Sequence, residues 1–157
     1  TARINQETTS GQTPLFLAAR FGSISCCRIL LLLGANIASR DISPLHAASS
    51  AGHLDVVKCL IAHGADLALL NASGKSALDM AFEGGFTAIA EYIQSVQLQQ
   101  RIEREKRERE AKRLERERLE EEEARRLERK RIEEEDRRKY LEEMARLDEA
   151  RKRAKAE

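Results

Sequence analysis

Cysteine is scarce in this sequence, and what little there is excludes a good deal. Three cysteines are too few, and too odd in number, for a disulfide framework, and none has partners at zinc spacing. A reducing interior, and hence a cytoplasmic address, is the expectation. Long hydrophobic runs are missing too: the longest, "ILLLLGA" from Ile29, falls far short of the ~20 residues that cross a bilayer as a helix, so no membrane insertion is expected. Charge of a single sign is absent. With 28 basic and 27 acidic residues the net charge is +1, and between Arg101 and Lys139 the balance is 17 to 15. A nucleic-acid footprint needs one sign to dominate a face, so that partner class is disfavoured. There is no G-x-S-x-G, no phosphate-binding glycine loop and no pair of carboxylates on an apolar background. A non-enzymatic protein is expected, with no catalytic residue, metal, cofactor or small-molecule substrate.

What is present falls into two unlike parts. Residues 1–96 carry 13 charged side chains and residues 97–157 the other 42. The first part can bury a core, whereas the second has too few apolar residues to offset the entropy of ordering as a globule. The expected organisation is a small domain over 1–96 and an extended charged helix over 97–157.

Three stretches of the first part align: "GQTPLFLAARFGSISCCRILLLLGANIASRD" from Gly11, "ISPLHAASSAGHLDVVKCLIAHGADLALLN" from Ile42 and "GKSALDMAFEGGFTAIAEYIQ" from Gly74. Each opens on a hydroxyl residue, then Pro or Ala, then Leu: Thr13-Pro14-Leu15, Ser43-Pro44-Leu45, Ser76-Ala77-Leu78. That is the chemistry of a helix start. The hydroxyl accepts an orphan backbone N–H, and proline at the first helical position loses nothing by lacking its own. Small residues follow at Ala18, Ala19, Ala48, Ser49 and Ala81, allowing close packing. Gly22, Gly52 and Gly85 end the short helix, and Gly34 and Gly64 close a second, apolar one.

These residues resemble the ankyrin repeat, whose pattern T-P-L-H-x-A-A, glycine turn, apolar helix and G-A-D is matched along its length by "SPLHAASSAGHLDVVKCLIAHGAD". The resemblance covers residues 1–96. It implies an all-α solenoid of antiparallel helix pairs with hairpin-like loops on one edge: the end of a preceding repeat, two full repeats and a C-terminal capping repeat. It departs from the pattern in three places. "TARINQETTSG" fits the loop that closes a preceding repeat, with Ile4 and Asn5 in the places of V-N, so further repeats are expected upstream. Pro14 to Pro44 is 30 residues while Pro44 to Ala77 is 33, so either the loop between Asp41 and Ile42 is short or three flexible residues are missing there. The last repeat carries Ala77 and Asp79 for proline and histidine, and has the pair Gly84-Gly85, as suits a cap.

Several residues look chemical but have a plainer explanation. Cys26 and Cys27 align with Val56 and Val57, and Cys59 with Ile29, so all three are expected to be small buried hydrophobes. His46, His53 and His63 match no zinc pattern. By the resemblance, the His46 ring bonds neighbouring loops.

The resemblance also says where a protein partner would bind: on exposed first-helix positions and loop tips. Carried over, these are Arg20, Phe21, Ser50, Ala51, Glu83 and Gly84 on the helices, and Glu7, Arg40 and Leu70 in the loops. Phe21 and Leu70 stand out because the fold asks for no apolar side chain there. Phe21 beside Arg20 makes a candidate hot spot, against the alternative that Phe21 packs on a neighbouring repeat, and Leu70, with Leu69, has the alternative of packing within its loop.

The second part contains strong helix formers, and neither Gly nor Pro occurs after Gly85, so the last repeat helix is expected to run on, about 90 Å from Ser95 to the end. Ile102, Leu114, Leu119, Leu127 and Ile132 are spaced by 12, 5, 8 and 5 residues, which gives no coiled-coil seam, and no self-sufficient homodimer is expected. Glu four places before Lys or Arg does recur: Glu103–Arg107, Glu105–Arg109, Glu108–Lys112, Glu121–Arg125 and Glu133–Arg137. Such pairs contribute about 0.3 to 0.5 kcal/mol each in isolated helices. The segment resembles the charged single α-helices that act as spacers in cytoskeletal proteins. Disorder, or a coiled coil formed with a partner, are the alternatives. Tyr140, Leu141, Met144 and Leu147 form a short apolar stripe, either a second docking point or a helix-stabilising cluster.

The resulting expectation is a scaffold that meets protein partners at both ends, in a cytoskeletal or ciliary assembly. The alternative is a regulatory signalling adaptor whose tail is flexible or zipped by a partner.

Overall fold

The computed structural model describes residues 3–38 and 43–156, and among these there is no strand. Six helices follow in order: α1 (Pro14–Arg20), α2 (Ile24–Leu32), α3 (Pro44–Ala51), α4 (Leu54–Ala62), α5 (Ala77–Glu83) and α6 (Thr87–Ala156). The chain divides into two compact units, Thr1–Ile102 and Glu103–Glu157, so the first turns of α6 belong to the repeats.

Local chemistry starts each short helix of the first unit. Thr13 Oγ1 accepts from Phe16 N at 3.2 Å and Ser43 Oγ from His46 N at 3.4 Å, each with proline at the first helical position. Ser76 makes a full capping box: its Oγ accepts from Asp79 N at 3.2 Å while Asp79 Oδ2 accepts from Ser76 N at 2.8 Å. Asp79 stands where the second repeat has His46, so losing the histidine there gains a second satisfied N–H.

The first helices pack in a row, α1 on α3 and α3 on α5, with α2 against α1, α4 against α3, and α2 against α4. One core runs through them. Leu15, Leu45, Leu60, Ile89 and Ile93 are fully buried, with Ala19, Ala48 and Ala81 between the helices. The alanines keep the helices close and the larger side chains supply roughly 1.5 to 3 kcal/mol each on burial. Successive repeats also lock at their turns. Gly22 and Gly52 have φ of 71° and 82°, and a Cβ on either would strike the ring of His53 or Phe86, from the next repeat. Lys58 Nζ lies 5.4 Å from the centroid of the Tyr92 ring, a cation–π contact between α4 and α6.

The cysteines do not behave alike. Cys27 is buried like Val57, but Cys26 is exposed and Cys59 half-buried. Val56, aligned with Cys26, is buried because α2 lies over α4, whereas no described helix covers α2 on its other side. Sequence alignment transfers a position in the repeat; it does not transfer the neighbour that buries it.

In the second unit, residues 103–156 are exposed throughout and form a helix of about 80 Å. Ion pairs join Glu103–Arg107 at 3.2 Å, Glu105–Arg109 at 3.9 Å and Glu121–Arg125 at 2.6 Å, as the spacing predicts. Glu108–Lys112 and Glu133–Arg137 are not joined. Their neighbourhoods pair otherwise, through Glu110–Arg113 at 3.8 Å and Glu135–Lys139 at 2.9 Å. Several partners of nearly equal reach surround each cation, and side-chain rotamers choose among them.

The 30-residue spacing and the candidate site residue Arg40 both fall at residues 39–42, outside the described residues.

Candidate protein-binding surface

The row of first helices and the loop after α4 enclose a groove of about 490 Å³. Three of the expected residues meet there: Arg20 from α1, and Ser50 and Ala51 from α3. Phe16, Met80 and the loop tip 71–73 complete it. The loop is held by its own side chain. Asn71 Oδ1 accepts from the backbone N–H of Ser73 and of Lys75, each at 2.9 Å, and Asn71 N donates to Lys75 O at 2.9 Å. With these bonds made internally, the exposed residues Ala72 and Ser73 line the groove.

His46 ties that loop to α3. Its Nε2 donates to Lys75 O at 3.1 Å, which leaves Nδ1 to accept from Ser43 Oγ at 2.7 Å. Burial holds the imidazole below its ordinary pKa, with the carbonyls of Lys75 and Leu69 opposing that shift. The ring is therefore neutral and works as a brace. A second ring bonds the turn of the preceding repeat, His53 donating from Nε2 to Arg20 O at 3.1 Å. Ser49 Oγ is buried with no hydrogen-bond partner and faces the core side of α3.

The electrostatics are simple. Among the described residues Arg20 is the charged side chain that lines the groove, and no carboxylate does. Glu83 is instead paired with Lys75. An arginine fork above an apolar floor made by Phe16 and Met80 suits a chain segment that offers a carboxylate beside an apolar side chain.

Other expected residues lie elsewhere. Phe21, 75 % exposed, faces away from Arg20, over α2, where it stands with Leu17, Cys26 and Ile29. Neighbours in sequence are about 100° apart on a helix, and the two line different surfaces. Glu7 and Leu70 are exposed in their loops, outside the groove. Gly84 ends α5, against the Phe86 ring. Tyr140, Leu141, Met144 and Leu147 are exposed on the second unit. Phe16 and Met80 were missed; Phe16 holds the position of His46, and an apolar residue in place of the bracing histidine was the available signal.

Burial, with Cys59 and Cys26 nearby, pushes the Cys27 thiol up to about 11, which makes it inert. Among the described residues no group of His, Cys, Asp and Glu could hold a metal ion, and no helix is long and apolar enough to cross a membrane.

Known proteins share the first unit. A family model described as ankyrin repeats (3 copies) matches residues 32–103, and one described as ankyrin repeat matches residues 10–42. Mouse "Ankyrin repeat and SOCS box protein 11" is 41% identical over 80 residues, 50% of this chain and 25% of its own length. Human "Ankyrin repeat domain-containing protein 37" is 34% identical over 96 residues, 58% of this chain and 60% of its own. "Glycerophosphocholine phosphodiesterase gde1" of Schizosaccharomyces pombe is 33% identical over 95 residues, 58% of this chain and 8% of its own. The chain thus spans about a quarter of the length of the first of these relatives. Ankyrin repeats are usually non-enzymatic modules that bind other proteins. With capped helix pairs, turn glycines and bracing histidines in place, residues 10–103, which the two models match, are ankyrin repeats.

Proposed function

We propose that the chain is a non-enzymatic, two-ended scaffold. The repeats grip an acidic, partly apolar segment of a partner protein in the groove around Arg20, and the charged helix acts as a spacer to a second contact. The observation that carries the spacer is the second unit itself: an unbroken helix whose side chains are all exposed and held by ion pairs three and four residues apart. Such a helix gives reach without a partner strand. A large ordered assembly, cytoskeletal or ciliary, is where a spacer of that length has use. A second reading, a signalling adaptor whose tail is zipped by its partner, is favoured by the exposed stripe from Tyr140 to Leu147.

One experiment with two arms tests this. In the first, nitroxides replace Lys106 and Arg146 in a chain whose cysteines are changed to alanine; a lone stiff helix gives a narrow distance near 60 Å. A broad, shorter distribution that narrows only with a partner supports the adaptor. In the second, cross-linking capture from cell extract compares the chain with Arg20→Glu and with a truncation after Ser95. Partners that split between the two variants support two ends; partners lost only with the truncation overturn the role given to the groove.

A further inference from the structure

The long helix carries a line of side chains that reads the same from both ends, except that its flanking charges change sign. The positions are 119, 123, 126, 130, 134, 137 and 141, with gaps of 4, 3, 4, 4, 3 and 4 residues. At about 100° per residue they fall within one arc of roughly 80°, so they share a face of α6. About Lys130 at the centre, Arg126 is matched by Glu134, Glu123 by Arg137 and Leu119 by Leu141. All seven side chains are exposed.

The ion pairs of the helix leave this line aside. Glu121–Arg125, Glu128–Arg131 and Glu135–Lys139 lie next to it at 2.6, 2.7 and 2.9 Å, whereas Glu123, Arg126, Lys130, Glu134 and Arg137 make no ion pair among the described residues. Their charges are available to a second chain, and direction decides what fits them. Two copies laid parallel and in register would set Glu123 on Glu123 and Arg137 on Arg137, like on like at every charged position of the line. Laid antiparallel, with the two Lys130 residues opposite each other, the same face sets Glu123 on Arg137, Arg126 on Glu134 and Leu119 on Leu141, each twice by the twofold symmetry. Within the line only the central lysines then meet a like charge, and their long stems let the ammonium groups swing out to water. Complementarity of this kind selects partner and direction more than it adds strength. Without an apolar seam the pair is weak and sensitive to salt, unlike the self-sufficient coiled coil that the leucine spacing disfavours.

We propose that residues 119–141 of α6 pair antiparallel with the same residues of a second copy of this chain, in the register that places Lys130 opposite Lys130. The two chains enter the paired stretch, about 33 Å long, from its opposite ends, so that repeats lead into each end of the spacer. The pairing rests on the same unbroken helix as the spacer reading and adds a second copy as the partner of that helix.

Charge reversal and cross-linking test it. The 157-residue chain is expected to sediment as a dimer at about 0.02 M salt, with a dissociation constant that rises roughly tenfold or more at about 0.5 M. Arg126→Glu and Glu134→Arg each set like charges against each other and are expected to leave monomers. Mixed with one another, the two variants are expected to dimerise again, because every contact between them at these positions is once more between unlike charges. For direction, Glu123→Cys and Arg137→Cys are introduced singly into a chain whose own cysteines are changed to alanine, and the two proteins are mixed and oxidised. Disulfides from 123 to 137 are expected to dominate. Links from 123 to 123 and from 137 to 137 in their place mean a parallel pair and overturn the proposal, as does failure of the mixed charge variants to dimerise. Circular dichroism of the parent chain separates two further ways of failing. A monomer at about 0.02 M salt whose α6 is fully helical removes the second copy and leaves the spacer, and a chain that has lost that helix removes both.

Discussion

The two units are both helical and share almost nothing else. In Thr1–Ile102 the helices are seven to nine residues long, apart from the start of α6. Helices that short do not hold in water by themselves, because nucleation costs more than one or two turns return. They persist through caps, alanine-lined contacts and a core of leucine and isoleucine. In Glu103–Glu157 there is no core, and length plus local ion pairs do the same work. One unit is therefore cooperative and the other is not: removing one contact is felt across the repeats, but only within a turn or two of the helix. The proposed binding surface belongs to the unit whose parts are mutually fixed.

The sharpest way to break this comparison is to make the same substitution in each unit. Leu45 is 1 % exposed and Leu127 is 60 % exposed. Leu45→Ala is expected to destabilise the repeats by about 2 to 5 kcal/mol, the range for a buried leucine. Leu127→Ala is expected to change nothing measurable, since alanine is the better helix former and little burial is lost. Urea unfolding followed by circular dichroism checks both, and comparable losses would mean that the charged helix has a buried face after all.

A smaller effect sharpens the contrast within the repeats. Gly52 and Gly64 have φ of 82° and 90°, so alanine at either costs about 1 to 2 kcal/mol of backbone strain. At Gly64 nothing lies within 4 Å of the new methyl, while at Gly52 it meets the Phe86 ring. Gly52→Ala is thus expected to lower the thermal midpoint further than Gly64→Ala. Equal losses would show that the ring seated on the turn does not help to lock the repeats together.

The sequence shows these two regimes plainly, because both rest on local pattern. Hydroxyl caps, turn glycines and the charge balance after Arg101 are readable without a neighbour. Burial by another element is not. Cys26 and Val56 hold one repeat position, yet among the described residues only Val56 has a helix over it. Arg20 and Phe21 are adjacent in sequence but serve different surfaces, a division that depends on where α2 and α3 lie. The groove was half legible: its helix positions follow from the repeat, but its loop tip at Ala72 and Ser73 and its floor at Phe16 and Met80 need the packed helices to bring them together. The ion-pair partners of the long helix were legible as a class and not one by one, since Arg113 reaches both Glu110 and Glu117.

The smallest expected effect separates the units by pH alone. His46 has its folded pKa held below 6.5 by burial, so the unfolded chain takes up the proton first. Its contribution is whole above pH 6.5 and is lost progressively as the pH falls through the folded value. The first bond to go is the one from Ser43 Oγ to Nδ1, because a protonated ring nitrogen no longer accepts. Glu135 has its folded pKa held below 4.5 by the hydrogen bond from Lys139, so the pair it makes persists until the pH falls past that range. Between pH 6.5 and 5, then, the repeats should lose a few degrees of thermal midpoint while the helix signal of the second unit stays level. His46→Gln is expected to flatten the pH dependence over that window, at the cost of a lower midpoint throughout, because the amide can brace the Lys75 carbonyl but cannot titrate. If the slope survives the substitution, the titrating group is not His46, and the brace between α3 and the loop that forms the groove is not what acid removes.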